Sequence, residues 1–180
     1  MEHKPPTWKD LKRVLDELDR NDLLGLVRDL HAASKENRTF LNARFGLSDA
    51  PLAPYKAVIS RWVSPHFRGD QTLSVTKAKK AISDYKKAVG DPEGLAELAT
   101  FYCECSAWYL GDIYGGDETY CGALVRVFDQ ALEAVQSLHP EQQRLFVGRL
   151  EAVRRRARKL GWSLDFHLDD LMDQYGFEVD

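Results

Sequence analysis

The chain has 180 residues, 44% of them apolar and 29% charged, which suits one globular domain able to bury roughly 70% of its unfolded surface without disulfide or metal staples. That composition argues against bulk disorder, and no apolar run approaches the roughly 18 residues of a membrane span. Net charge is only −3, which sets the chain apart from strongly basic nucleic-acid-binding proteins.

Apolar residues recur every three or four positions from end to end, the signature of amphipathic helices. Thr7 can cap a first helix carrying Leu11, Val14, Leu15 and Leu18 on one face. Asp19 or Asn21 can start a second, with Leu23, Leu26, Val27 and Leu30 expected to point inward. Ser34 opens a third, bearing Phe40, Leu41 and Phe45 and stopped by Gly46. Pro51 and Pro54 open a short fourth with Tyr55, Val58, Ile59 and Trp62, and Ser64-Pro65 ends it, because a residue before proline avoids the α region.

After a loop, a fifth helix spans about 74–89, with Val75, Ala78, Ile82, Tyr85 and Val89 on one stripe and Gly90 beyond. Asp91-Pro92-Glu93 is a strong start signal for a sixth: cap, proline at the first turn, acid near the positive end of the dipole. That helix is apolar over a wide arc, from Leu95 through Trp108 to Ile113, which predicts the buried centre of a bundle. Gly115-Gly116-Asp117 opens a seventh, His139-Pro140 an eighth that stops at Gly161, and Ser163 a ninth. No stretch alternates like a strand. The expected fold is all-α: a compact irregular bundle or short stack of about eight or nine antiparallel helices, forming one domain over 1–180 with a possible hinge at 65–72.

The odd, sparse cysteine count (Cys103, Cys105, Cys121) and a polar start without an apolar leader point to a reducing, cytoplasmic setting. Cys103-Glu104-Cys105 resembles half a metal site, but residues two apart on a helix point in nearly opposite directions, so free thiols are expected. Asp165, Asp169 and Asp173 share one face of the last helix, where they can ligate a divalent cation or pair with the preceding run Arg154, Arg155, Arg156, Arg158 and Lys159. Pairing is the expected arrangement.

Lys77, Lys79, Lys80, Lys86 and Lys87 lie opposite the apolar stripe of the fifth helix. With Arg154, Arg155 and Arg158 they form the candidate partner surface. Residues 1–90 carry a net +6 and residues 91–180 a net −9, two halves that can neutralise each other or present opposite faces. Trp108 is expected in the core, Trp162 against a helix end, and Trp8 and Trp62 nearer the surface. None of the five histidines (His3, His31, His66, His139, His167) completes a catalytic pattern, and no phosphate-cradling or dinucleotide-binding glycine motif occurs, so no catalytic residue, cofactor or metal is assigned.

Three segments carry a resemblance: Ser34-Lys-Glu-Asn-Arg-Thr-Phe-Leu-Asn-Ala-Arg-Phe45, Leu73-Ser-Val-Thr-Lys-Ala-Lys-Lys-Ala-Ile-Ser-Asp-Tyr-Lys-Lys87 and Arg156-Ala-Arg-Lys-Leu-Gly-Trp162. Together they span most of the chain and resemble a bacterial family of small, all-helical cytosolic proteins catalogued as a domain of unknown function. The resemblance implies a bacterial, intracellular, all-α protein and no particular activity. The reading that follows is a non-enzymatic helical protein–protein interaction module or adaptor. The alternatives are nucleic-acid binding through the basic helical faces and a metal-dependent hydrolase built on the aspartate cluster.

Overall fold

The computed structural model describes residues 5–65, 72–113, 117–159 and 164–177. Among them are nine helices and no strand: α1 (Trp8–Leu15), α2 (Arg20–Ala33), α3 (Lys35–Arg44), α4 (Ala53–Val63), α5 (Val75–Ala88), α6 (Pro92–Ile113), α7 (Glu118–Gln136), α8 (Pro140–Arg158) and α9 (Leu164–Gln174). The fold is all-α. No described helix is long and apolar enough to cross a membrane.

The starts follow local chemistry. Free amides of a first turn need acceptors, and short polar side chains supply them. Asp19 accepts from the amides of Asn21 and Asp22 at 2.7 and 2.8 Å, Ser34 from Asn37 at 3.0 Å, Asp91 from Gly94 at 2.8 Å and Asp117 from Tyr120 at 2.7 Å. Thr7 donates back to Asp10 at 2.9 Å. Gly46 and Gly90 take positive φ (63° and 70°) just past α3 and α5, the left-handed turn that glycine adopts without strain. Ser163, Gly161 and the Gly115-Gly116 break lie outside the described residues.

The core is built around α6, which packs on α4, α5, α7 and α8. Leu98, Tyr102 and Cys103 are fully buried, joined by Leu124, Val127, Phe128, Leu132 and Val135 of α7 and Leu150 of α8. Leu168 and Met172 of α9 close the far side against α7 and α8. On the near side α4 and α5 pair closely, and Tyr55 meets Tyr85 edge-on with ring centres 5.4 Å apart. One buried cluster thus runs from Ala43 in α3 to Met172 in α9. The interior of the expected 65–72 hinge, residues 66–71, lies outside the described residues, but its flanks are tied. The Ser74 amide donates to the Trp62 carbonyl at 3.0 Å, and the Tyr120 hydroxyl donates to the Val63 carbonyl at 2.6 Å.

The first two helices depart from expectation. α1 and α2 contribute no buried residue. α2 packs on α3 alone to any extent, and α3 reaches the bundle through α5, where Arg44 donates to the Ala88 carbonyl at 3.1 Å. Leu23, Leu26, Val27 and Leu30, expected inward, are exposed, as are Trp8, Leu11 and Val14. The apolar stripes are present; nothing among the described residues covers them.

Tyr85 reaches α6 only because residue 94 is glycine: a Cβ there would stand 2.0 Å from the Tyr85 hydroxyl and 2.5 Å from its ring carbon Cζ. Gly148 in α8 has open space at the same position. Gly94→Ala should therefore cost about 1–3 kcal/mol by overpacking, while Gly148→Ala should stabilise by about 0.5–1 kcal/mol through the better helix former. Opposite displacements of the urea midpoint, with unchanged slope, check both.

Candidate functional site

Between α6 and α8, beside Ser64 at the end of α4, runs an open groove of about 830 Å³. Its floor comes from Phe101, Cys105 and Ala107 of α6 and from Gly148, Ala152 and Val153 of α8. On the floor, the exposed α8 positions Gly148 and Ala152 carry almost no side chain, so another backbone can approach closely.

One wall is an ion-pair network. Glu97 and Glu104, two turns apart on α6, share the face toward α8. Arg149 of α8 donates to Glu104 from Nε at 2.8 Å and from Nη2 at 2.9 Å, and to Glu97 from Nη1 at 2.5 Å. Lys56 of α4 reaches Glu97 at 2.6 Å. Two acids and two bases thereby clamp three helices. Burial alone would raise the Glu97 carboxyl; the hydrogen bonds from Arg149 and Lys56 outweigh that and hold it below the ordinary value.

One turn beyond Glu104 on α6 stands Trp108, 59% exposed although it belongs to the central helix, where a core position was expected. The Arg156 guanidinium lies over its ring at 3.8 Å and donates from Nε to the Ala107 carbonyl at 3.0 Å. Gly111 makes room for this: a Cβ there would stand 2.7 Å from the guanidinium. Arg155 and Lys159 also line the groove, both exposed. Neither has an ion-pair partner among the described residues.

The groove is therefore apolar underneath and cationic above. Its thiol is a poor nucleophile or metal ligand. Burial, with help from the neighbouring Glu104 charge, pushes Cys105 up to about 11, and burial pushes Cys103 well above the ordinary thiol value. All three cysteines are free.

The other candidate residues are dispersed. Arg154 is only 5% exposed and donates to Asp169 at 2.8 Å, so it is no part of a surface; Arg158 takes the other Asp169 oxygen at 2.9 Å. Asp169 is thus held from both sides by guanidinium groups, which together outweigh burial and lower its carboxyl. Asp173 is exposed, and the Asp165 side chain lies outside the described residues. No group of three or more His, Cys, Asp or Glu that could hold a metal ion occurs among the described residues.

On α5, Lys77 lies over the Trp62 ring at 3.9 Å and Lys80 pairs with Asp84 at 2.5 Å. Lys79 is half-buried, while Lys86 and Lys87 are exposed in the last turn. α5 packs chiefly on α3, α4 and α6, whereas α8 packs on α6, α7 and α9, so the two basic runs sit on helices that α6 separates. Sequence reasoning missed Glu97, Glu104 and Arg149; the available signal was two glutamates seven apart on one face of the most apolar helix. Set against family models, characterised proteins and solved structures, the chain matches none.

Because Glu97 and Asp169 are depressed when folded, their stabilisation is complete above the ordinary carboxylate range and is lost as pH falls below it. Glu97→Gln should be less stable than wild type at neutral pH, where Arg149 and Lys56 lose a charged partner. It should converge on wild type as pH falls through the depressed folded-state value of Glu97. Urea melts at neutral and acid pH give the comparison; parallel acid limbs would refute it.

Proposed function

We propose that the protein is a non-enzymatic helical interaction module whose α6–α8 groove receives an acidic, amphipathic helix of a partner protein. The observation that carries this reading is Trp108: a large aromatic on the central helix, 59% exposed, held by Arg156 at 3.8 Å beside an apolar trough. Tryptophan and arginine are the residue types that most often dominate binding energy. Gly148 and Ala152 leave space for a helix backbone, and Phe101 and Cys105 offer it apolar contact. Arg155 and Lys159, unpaired among the described residues, favour a partner rich in Asp and Glu. Three free thiols suit a reducing, cytoplasmic setting. The resemblance to bacterial helical proteins of unknown function assigns no activity and adds no residue to this reading.

Nucleic-acid binding is the weaker reading. Of the lysine face of α5 and the Arg154–Lys159 run that it would use, Lys80 pairs with Asp84, and Arg154 and Arg158 with Asp169. Metal-dependent hydrolysis is weaker again, since Asp169 already accepts from two arginines.

A photo-cross-linking residue placed at Ala152 in the native host should give one discrete protein adduct, with an acidic helical segment at the cross-linked position. Trp108→Ala should weaken binding of that segment by ~2 kcal/mol or more. Arg155→Glu with Lys159→Glu should slow association and flatten its salt dependence. Adducts to nucleic acid instead, or none above a control site at Glu133, would sink this assignment.

A further inference from the structure

Resting on the groove reading above, we infer that the partner helix runs antiparallel to α6 and α8, with its acids in its first turn over Arg155 and Lys159 and its backbone close against Gly148 and Ala152. The first ground is the direction of the walls. Arg149 reaches Glu97 and Glu104, and further along both helices Arg156 lies over Trp108 and beside Gly111. α6 and α8 therefore run side by side in the same direction. Groove residues return at helical spacing on both: Phe101, Cys105 and Trp108 on α6, Gly148, Ala152, Arg155 and Lys159 on α8. At about 1.5 Å per residue the trough from Gly148 to Lys159 is about 16 Å long, room for about three turns of a third helix.

The second ground is Gly148. It is exposed, sits within α8 and has nothing within 4 Å of an added Cβ, so the fold has no steric need of glycine there. Gly94 and Gly111, by contrast, each make room for a side chain of this chain. Glycine inside a helix is destabilising relative to alanine, and what it offers in return is close approach by another backbone. With Ala152 one turn on, Gly148 makes this half of the trough the half of closest contact.

The third ground is charge, and it selects the direction. The close-contact half is balanced, because Glu104 and Arg149 pair there. The other half carries Arg155 and Lys159, exposed and without an ion-pair partner among the described residues. It also lies toward the C-terminal ends of α6 and α8, where two parallel helix dipoles present their negative ends. A helix with acids in its first turn meets every one of these demands. Its acids face Arg155 and Lys159, they favour its own positive end, and that end faces the negative ends of α6 and α8. A helix laid the other way would carry its acids at its own negative end, beside two more negative ends.

The test uses the full chain and a pair of stapled amphipathic helical peptides of about 14 residues and identical composition. One has its Asp and Glu in the first turn, the other in the last. Titrations followed by the Gly148 and Lys159 amide resonances and the Trp108 indole should show the acid-first peptide binding at least about fivefold tighter at low salt. Arg155→Glu with Lys159→Glu should abolish that preference. A nitroxide on the N-terminus of the acid-first peptide should broaden Trp108 and Lys159 more strongly than Gly148. Gly148→Leu adds a side chain in open space, so the fold should keep its circular dichroism while the peptide binds at least about tenfold more weakly. Equal binding of the two peptides, a preference that survives the charge reversal, or stronger broadening at Gly148 overturns the direction and leaves the groove reading standing. Undiminished binding to Gly148→Leu overturns the close approach. Neither peptide moving any groove resonance at millimolar concentration overturns the groove reading, and this inference with it.

Discussion

The architecture depends on one constraint: α6 cannot face water over most of its circumference. It places Leu98, Tyr102, Cys103, Ala107 and Leu110 in full or nearly full burial, and four other helices pack around it. Close packing on that scale requires small residues where neighbours approach, and Gly94, Ala96, Ala99 and Ala107 occupy those places. A central helix also has a cost. Glu97 and Glu104 are drawn with it into partial burial, where an unpaired carboxylate would be destabilising. Arg149 and Lys56 follow as a requirement of that placement. The Glu104–Arg149 pair that lines the groove is thus a consequence of how α6 is buried.

The arginine-rich end of α8 shows why a run of charge in sequence is not a patch in space. Each successive residue turns by about 100°, so neighbours serve different surroundings. Arg154 turns inward to Asp169 beneath α9, Arg155 turns to solvent, Arg156 turns back over Trp108 of α6, and Arg158 returns to Asp169. The same holds on α5, where Lys77 covers Trp62 and Lys80 pairs with Asp84. What remains free for a partner is a smaller and differently shaped set than the basic residues read together: Arg155 and Lys159 at the groove, Lys86 and Lys87 at the end of α5.

Helix positions were legible because they rest on local chemistry. Capping side chains, proline in the first turn and glycine past the last act within a few residues, and Asp19, Ser34, Asp91 and Asp117 all do so here. The pairing of Asp169 with the α8 arginines was also legible, since it joins consecutive helices of opposite charge. Coverage was not. Periodicity tells which side of a helix is apolar, but whether another helix lies there depends on distant parts of the chain. Trp108 reads like its neighbours Tyr102 and Cys105, yet α4 and α8 do not close over it. The groove was invisible for the same reason, being made from residues about fifty apart whose only common property is where they meet.

Exposure of apolar side chains is by itself weak evidence of anything. Leu145 and Phe166 are 72% and 69% exposed, and scattered residues of this kind are normal on soluble proteins. The α1–α2 surface differs in organisation. Its leucines and valines return at helical spacing, and they sit on two capped helices. Random drift toward apolar surface would not keep the spacing, because a stripe in water gains nothing from being regular. Regularity is useful only against another regular surface, since ridges of side chains pack into grooves of matching pitch. The arrangement therefore suits a helical cover.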